Sequence, residues 1–417
     1  MQRTQLGIIT LAFIAFISLG LPDGLLGVAW PSMRADFGVP LDALGILLVA
    51  FTVGYMSSSF FSGVLVRWLG IGMLLALSCA ATGLSLLGYT LAPGLAVVVL
   101  LGVVAGAGAG AIDAGLNTYV AEHHSPALMQ WLHASFGVGI TLGPIIMTFG
   151  LAQTENWRTG YWVVGSAQVL LALLFLFTAS WWEAASERRA IAAQDKEASQ
   201  QRLTDDAGHV SMGYAEPAPE AHSKTTPFTS TLRQPKAWLS MFTFFLYTGL
   251  ELTTGIWAFT LLTESRGFSI EVAGFWVAVY WGMFTVGRMV AGISANRVSS
   301  DQLIFGSLGL ALLGAALLYW NPTPMLGLLA LGLLGFAFAP IFPGMVSATA
   351  LRVGTLHSTN TMGMQIGAAG LGSAILPATA GVLGARLGLE AIPLLVAAIA
   401  VLVMLSYSLA RYGFTKA

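Results

Sequence analysis

Charge is what this chain has least of. Only 9% of its 417 residues are Asp, Glu, Lys or Arg, against roughly a quarter in ordinary soluble domains. A soluble globule is therefore excluded, and 56% hydrophobic residues point the same way. Basic clusters are scarce as well. With a net charge of -1 and Arg188-Arg189 as the one adjacent basic pair, there is no electrostatic footprint for nucleic acid. The single cysteine, Cys79, excludes a disulfide framework and, lying inside an apolar run, reads as a core residue. Catalytic constellations are missing too. His123 and His124 are adjacent and would point about 100° apart on a helix, which suits no common metal motif. No nucleophile stands beside a base. Neither an enzyme nor a metal centre nor a bound cofactor is expected.

What is there is a recurrence of apolar runs of about twenty residues, the length a helix needs to cross a bilayer core of about 30 Å. Cutting at charged, Pro and Gly punctuation gives spans near 6–31, 43–66, 72–91, 95–120, 127–150 and 160–182, then 237–262, 272–295, 302–320, 325–350, 359–384 and 389–411. The first is too long for a signal-peptide core and reads as a retained span. The fold class expected is an all-α membrane protein of twelve transmembrane helices, divided as 1–182, a linker at 183–236, and 237–417. The linker holds seven Lys/Arg and eight Asp/Glu with Pro217 and Pro219, a composition that cannot bury a core. Its opening, Trp181-Trp182 followed by Glu183 to Arg202, reads either as a helix lying at the interface or as a plain extension of the sixth span. With the N-terminus inside, thirteen Lys/Arg fall on the inner side against four outside, so both termini are expected to be cytoplasmic and the protein to sit in a plasma membrane of the bacterial inner-membrane kind.

The two halves look related. Gly63-Val-Leu-Val-Arg67-Trp after the second span parallels Gly292-Ile-Ser-Ala-Asn296-Arg297 after the eighth. Both loops resemble degraded copies of the Gly-x-x-x-Asp-Arg motif of the major facilitator superfamily, with Arg67 and Asn296 standing where that motif has its acid. The resemblance covers nearly the whole chain and implies two pseudo-symmetric six-helix halves that rock about a central site.

Against this apolar background, four charges lie deep inside spans: Asp23, Asp113, Glu251 and Arg288. A charge at the bilayer centre costs about 2.5–3.5 kcal/mol or more, so each must face protein or a water-filled cavity, which makes it a functional-site candidate. Counting about 1.5 Å per residue from the cytoplasmic ends puts Asp113, His133 and Arg288 in one layer and Asp23 with Glu251 in a deeper one. Gly106, Gly110, Asp113 and Asn117 share one stripe of the fourth span, so the glycines should admit a close neighbour helix beside the acid. Tyr247, Glu251 and Thr254 share a face of the seventh span, and Trp281, Thr285 and Arg288 one of the eighth. His133 could partner Asp113 and titrate near neutrality, and Arg288 could pair with Glu251 or hold a gate.

Asp113-Ala-Gly-Leu-Asn117 resembles the Glu-Thr-Ala-Ala-Asn segment of the fucose-galactose-glucose/proton symporter family. Asp23 in Leu21-Pro-Asp-Gly-Leu matches that family's first-span aspartate, and His133-Ala-Ser135-Phe136-Gly137 its fifth-span segment, with His where the sugar symporters tend to have Gln. The resemblance implies that Asp113 is a proton-coupling acid, that Asp23 is a coupling or sugar-contacting carboxylate, and that the solute is a hexose-like sugar; Glu251, as the third carboxylate deep inside a span, joins them as a coupling candidate, with a proton or sodium as the ion. Asn117 and Gln365 would supply hydrogen bonds to the sugar and Tyr280 and Trp281 stacking faces, in a protein that works as a monomer. The rival reading is a proton-driven drug or metabolite exporter, because Gly139-Ile-Thr-Leu-Gly143-Pro144 resembles the first half of the Gly-x-x-x-Gly-Pro-x-x-Gly-Gly motif of superfamily antiporters.

Overall fold

The computed structural model describes residues 2–124, 126–208, 227–294 and 297–412, with side chains described except at 2–4, 126–127, 130 and 184–208. Asn296, one of the two loop-motif residues above, lies outside them. Twelve helices among the described residues are long and apolar enough to cross a membrane. Spans 1 to 6 are Gln5–Phe37, Leu41–Leu69, Ile71–Leu91, Leu95–His123, Trp131–Thr154 and Arg158–Glu183; spans 7 to 12 are Pro235–Ser265, Ile270–Ser294, Ser300–Trp320, Pro324–Ser347, Thr355–Leu387 and Ala391–Tyr412. Helices are what lipid demands, because an apolar solvent cannot satisfy backbone N–H and C=O groups. The same solvent explains why large apolar side chains such as Phe60, Leu100, Phe149, Phe177 and Ile293 point outward.

Packing repeats between the halves. Span 1 packs on 5, 2 on 4 and 3 on 6, and span 7 packs on 11, 8 on 10 and 9 on 12. Across the halves, span 5 meets 8, 2 meets 11 and 1 meets 7, a set that maps onto itself when six is added to or subtracted from each span number.

Small residues set these approaches. Gly20 and Gly24 of span 1 lie directly on Gly139 and Gly143 of span 5, where a Cβ on Gly143 would come within 2.8 Å of the Gly24 Cα. This is a Gly-x-x-x-Gly pair on each of two helices, a spacing that lets backbones touch. The Gly139–Pro144 segment is thus accounted for by packing.

Side chains take up carbonyls left free near two prolines. Pro22 has no N–H to offer the carbonyl four residues back, and the amide of the fully buried Gln168 on span 6 donates to that Ser18 oxygen at 2.8 Å. Span 10 breaks at Pro340 into Pro324–Phe338 and Ile341–Ser347. The Tyr247 hydroxyl donates to the Phe338 carbonyl oxygen at 2.6 Å.

The sixth helix continues without a break from Arg158 to Gly208, so the opening of the linker extends span 6. Trp182 is fully buried against Phe175 and Tyr119, while Trp181 is exposed. At the other end, the short helix Phe228–Leu232 docks on span 11, where buried Thr231 lies 3.0 Å from His357 Nδ1 and accepts from Asn360 Nδ2 at 3.1 Å. The second half therefore begins structurally near residue 227, ahead of the expected 237.

Candidate functional site between the two halves

Asp113 is the best-held charge. Its Oδ1 accepts from Asn117 Nδ2 one turn on at 2.9 Å, and its Oδ2 accepts from the Tyr55 hydroxyl of span 2. Tyr55 reaches it because the helices touch. A Cβ on Gly106 or Gly110 would run into the backbone of Phe51 or Tyr55, and Ser59 Oγ donates to the Gly110 carbonyl at 3.2 Å. Span 2 is thus the close neighbour that the glycine stripe calls for. Both carboxylate oxygens are occupied as acceptors, yet the residue remains partly accessible, as a group that exchanges a cation must.

Asp23 follows Pro22, partly accessible and within electrostatic reach of Asp113. His133 is exposed on span 5 with its ring edge-on to Phe16 at 5.6 Å, and it feels the charges of both Asp113 and Arg288. Arg288 stacks over Phe284 at 4.3 Å, leaves its buried Nε without a partner, and acts on Glu251. It forms no ion pair among the described residues, so the direct Glu251–Arg288 bridge weighed above is not made here. The result is a series of groups, Asp23, Asp113, His133, Arg288 and Glu251, each within electrostatic reach of the next, that runs from the first half into the second.

Three of the suggested sugar contacts are committed elsewhere. Tyr280 is fully buried and donates to the Glu251 carbonyl at 2.8 Å. Trp281 is buried with its indole seated against Gly255. The amide of Gln365 is buried and donates to Ser240 Oγ at 2.5 Å and Thr349 Oγ1 at 3.0 Å. These groups hold spans 7, 8 and 11 and the short helix Thr349–Val353 together, because a buried polar group in an apolar bundle must find protein partners. The expectation that they face a substrate is corrected accordingly. Asn117 donates its Nδ2 to Asp113 and leaves its Oδ1 without a hydrogen-bond partner among the described residues.

Tyr55 is the residue that sequence reasoning missed. Its signal was the polar stripe Tyr55, Ser59 on span 2, spaced by four and facing the Asp113 stripe.

The two halves are packed against each other at the face opposite the chain termini. There Gly27 of span 1 abuts Ile256 of span 7, Gly45 of span 2 abuts Ala378 of span 11, Gly274 of span 8 abuts Thr148 of span 5, and Arg34 pairs with Glu264 at 2.5 Å.

The family model described as Major Facilitator Superfamily matches residues 11–369 and again 258–415. Among curated relatives, the chain is 24% identical over 398 residues to "Bypass of stop codon protein 6" of Saccharomyces cerevisiae, covering 92% of this chain and 78% of that one. It is also 24% identical over 416 residues to the human "Sodium-dependent glucose transporter 1", covering 88% and 72%. Among solved structures, it superposes on the nucleoside transporter NupG with a TM-score of 0.73 at 12% identity, over 96% of this chain and 98% of that one.

Proposed function

The chain belongs to the Major Facilitator Superfamily and is a multi-pass membrane transporter, not an enzyme, and from that premise we propose that it carries a hexose-like sugar by cation-coupled symport, with the proton as the coupling ion. Asp113 is the coupling acid, Asp23 its neighbour along the cation path, and Glu251 with Arg288 the charges in the second half that respond. Tyr55 and Asn117 position the Asp113 carboxylate. The observation that carries this reading is the geometry of Asp113: a carboxylate fixed at both oxygens yet still partly accessible. Asp23 and Asp113 are like-charged neighbours in a low-dielectric site, and one bound cation relieves their repulsion. Loading and release of that cation then change the electrostatics of the cleft as it opens to one side and then the other. The relative named as a glucose transporter supports the sugar class. Both termini are assigned to the cytoplasm on the positive-inside count, which makes the face opposite them the outer one.

The test is Asp113→Asn in proteoliposomes. Uphill accumulation of the sugar driven by an imposed proton gradient is expected to fall to background, with counterflow exchange partly retained. Accumulation at the wild-type level would overturn the assignment, and accumulation driven by a sodium gradient alone would move the coupling to sodium.

A further inference from the structure

The face opposite the termini carries a charge network whose parts do different things. On the first half, Asp36 near the end of span 1 accepts from Trp157 Nε1 at 2.8 Å and pairs with Arg158. On the second half, Arg266 donates from Nε and Nη2 to Glu390 at 3.0 and 2.9 Å and from Nη2 to the Leu318 carbonyl at 2.7 Å. Each set ties helix ends within one half. Among the described ion pairs, Arg34–Glu264 alone joins the halves.

Glu264 reaches Arg34 through a change of helix type. Span 7 ends in a π turn, Leu261–Ser265, in which the Arg266 N–H donates to the Leu261 carbonyl five residues back at 3.1 Å. Such a turn holds one residue more than an α turn, so the residues that follow are swung by about 100°. One turn of span 7 thus sends Glu264 to the first half while Ser265 and Arg266 face Glu390 in the second.

We propose that Arg34 and Glu264 are the gate pair of this transporter: the one charged link that must break in each cycle for the halves to part at this face, with the Asp36–Arg158 and Arg266–Glu390 pairs staying closed. The inference rests on transport by alternating movement of the two halves and is independent of substrate and coupling ion.

The chain supplies its own clean background, since its one cysteine, Cys79, is fully buried. Ala378→Cys places a partly exposed thiol where span 11 abuts Gly45 of span 2, so that opening of this face reads out as a gain in labelling over the parent rate. In that background Arg34→Gln and Glu264→Gln are each expected to raise the rate of modification by a membrane-impermeant maleimide about three- to fivefold, the upper part of the range of a partly exposed ion pair. The double exchange Arg34→Glu with Glu264→Arg should return the rate to within about twofold of the parent, which also shows that the pair can be rebuilt and the fold is intact. Arg158→Gln, which breaks an ion pair within one half, should leave the rate unchanged. The proposal is overturned if either single variant labels at the parent rate, if the exchanged pair labels as fast as the singles, or if Arg158→Gln opens the face equally.

Discussion

Replacing Gln168 by Leu keeps most of its volume and removes both the N–H donor and the carbonyl acceptor of its amide. In the native bundle that amide donates to the Ser18 carbonyl at 2.8 Å, and its oxygen lies 3.5 Å from Ser18 Oγ. An orphaned buried acceptor costs about 1–3 kcal/mol, whereas interhelical hydrogen bonds in membrane bundles average about 0.6 and reach about 1.7 kcal/mol. A loss of about 1–2 kcal/mol is therefore expected. What makes the case decisive is Pro22, the reason the Ser18 carbonyl lacks a helical donor. In a Pro22→Ala background the new N–H at position 22 can take that carbonyl, so Gln168→Leu should cost less than half as much. The assay is reversible unfolding of the four proteins in mixed micelles, read by tryptophan fluorescence. If the cost of Gln168→Leu is the same in both backgrounds within about 0.3 kcal/mol, the two sites are independent and the account of this carbonyl is refuted.

Two further outcomes can be measured on the same material. Gly106→Ala places a Cβ against the Phe51 carbonyl, while Gly63→Ala on span 2 meets nothing within 4 Å; the first should destabilise by about 1–3 kcal/mol through overpacking, and the second should be neutral or stabilising by up to about 1 kcal/mol, and equal melting temperatures for the two would contradict the packing. Hydrogen bonds from Arg266, helped by Ser265, hold the Glu390 carboxyl below the ordinary carboxylate range. A depressed folded value means that this contribution is present above the unfolded value of about 4.3 and fades as pH falls from there toward the folded one. Glu390 is about half exposed, so the effect is small, and Glu390→Gln should flatten the acid limb of the stability profile; parallel profiles for parent and variant would remove the assignment.

How much of this was legible in the sequence depends on the range of the interaction. The twelve spans were, because lipid imposes a minimum apolar length on each helix independently, and their ends fall within a few residues of the expected ones. The Gly106–Asn117 stripe was legible because it is local to one helix. Tyr55 was only half legible: its spacing with Ser59 marks a polar stripe on span 2, but that the stripe faces Asp113 depends on which helix lies opposite. Gln365 was misread for the converse reason: an isolated amide looks available, but Ser240 and Thr349, whose hydroxyls take it up, are remote in sequence and carry no pattern of their own. Arg34 and Glu264 are 230 positions apart, and the π turn that aims Glu264 follows from tertiary contact, not from any residue preference visible along the chain.

The seam between spans 1 and 5 bears on how this protein can vary. Where Gly20 and Gly24 meet Gly139 and Gly143, main chain touches main chain, with no side chain between them to choose another rotamer. Such a joint has no slack. Asp23 sits inside it, one residue before Gly24, and span 5 carries both His133 and the principal contact with span 8. A tilt of span 5 therefore carries Asp23 along, much as a keyed shaft turns its gear. Substrate preference can drift by exchanging side chains elsewhere in the cleft, but these four positions have no larger alternative short of separating the two helices, so diversification of this transporter must proceed around them.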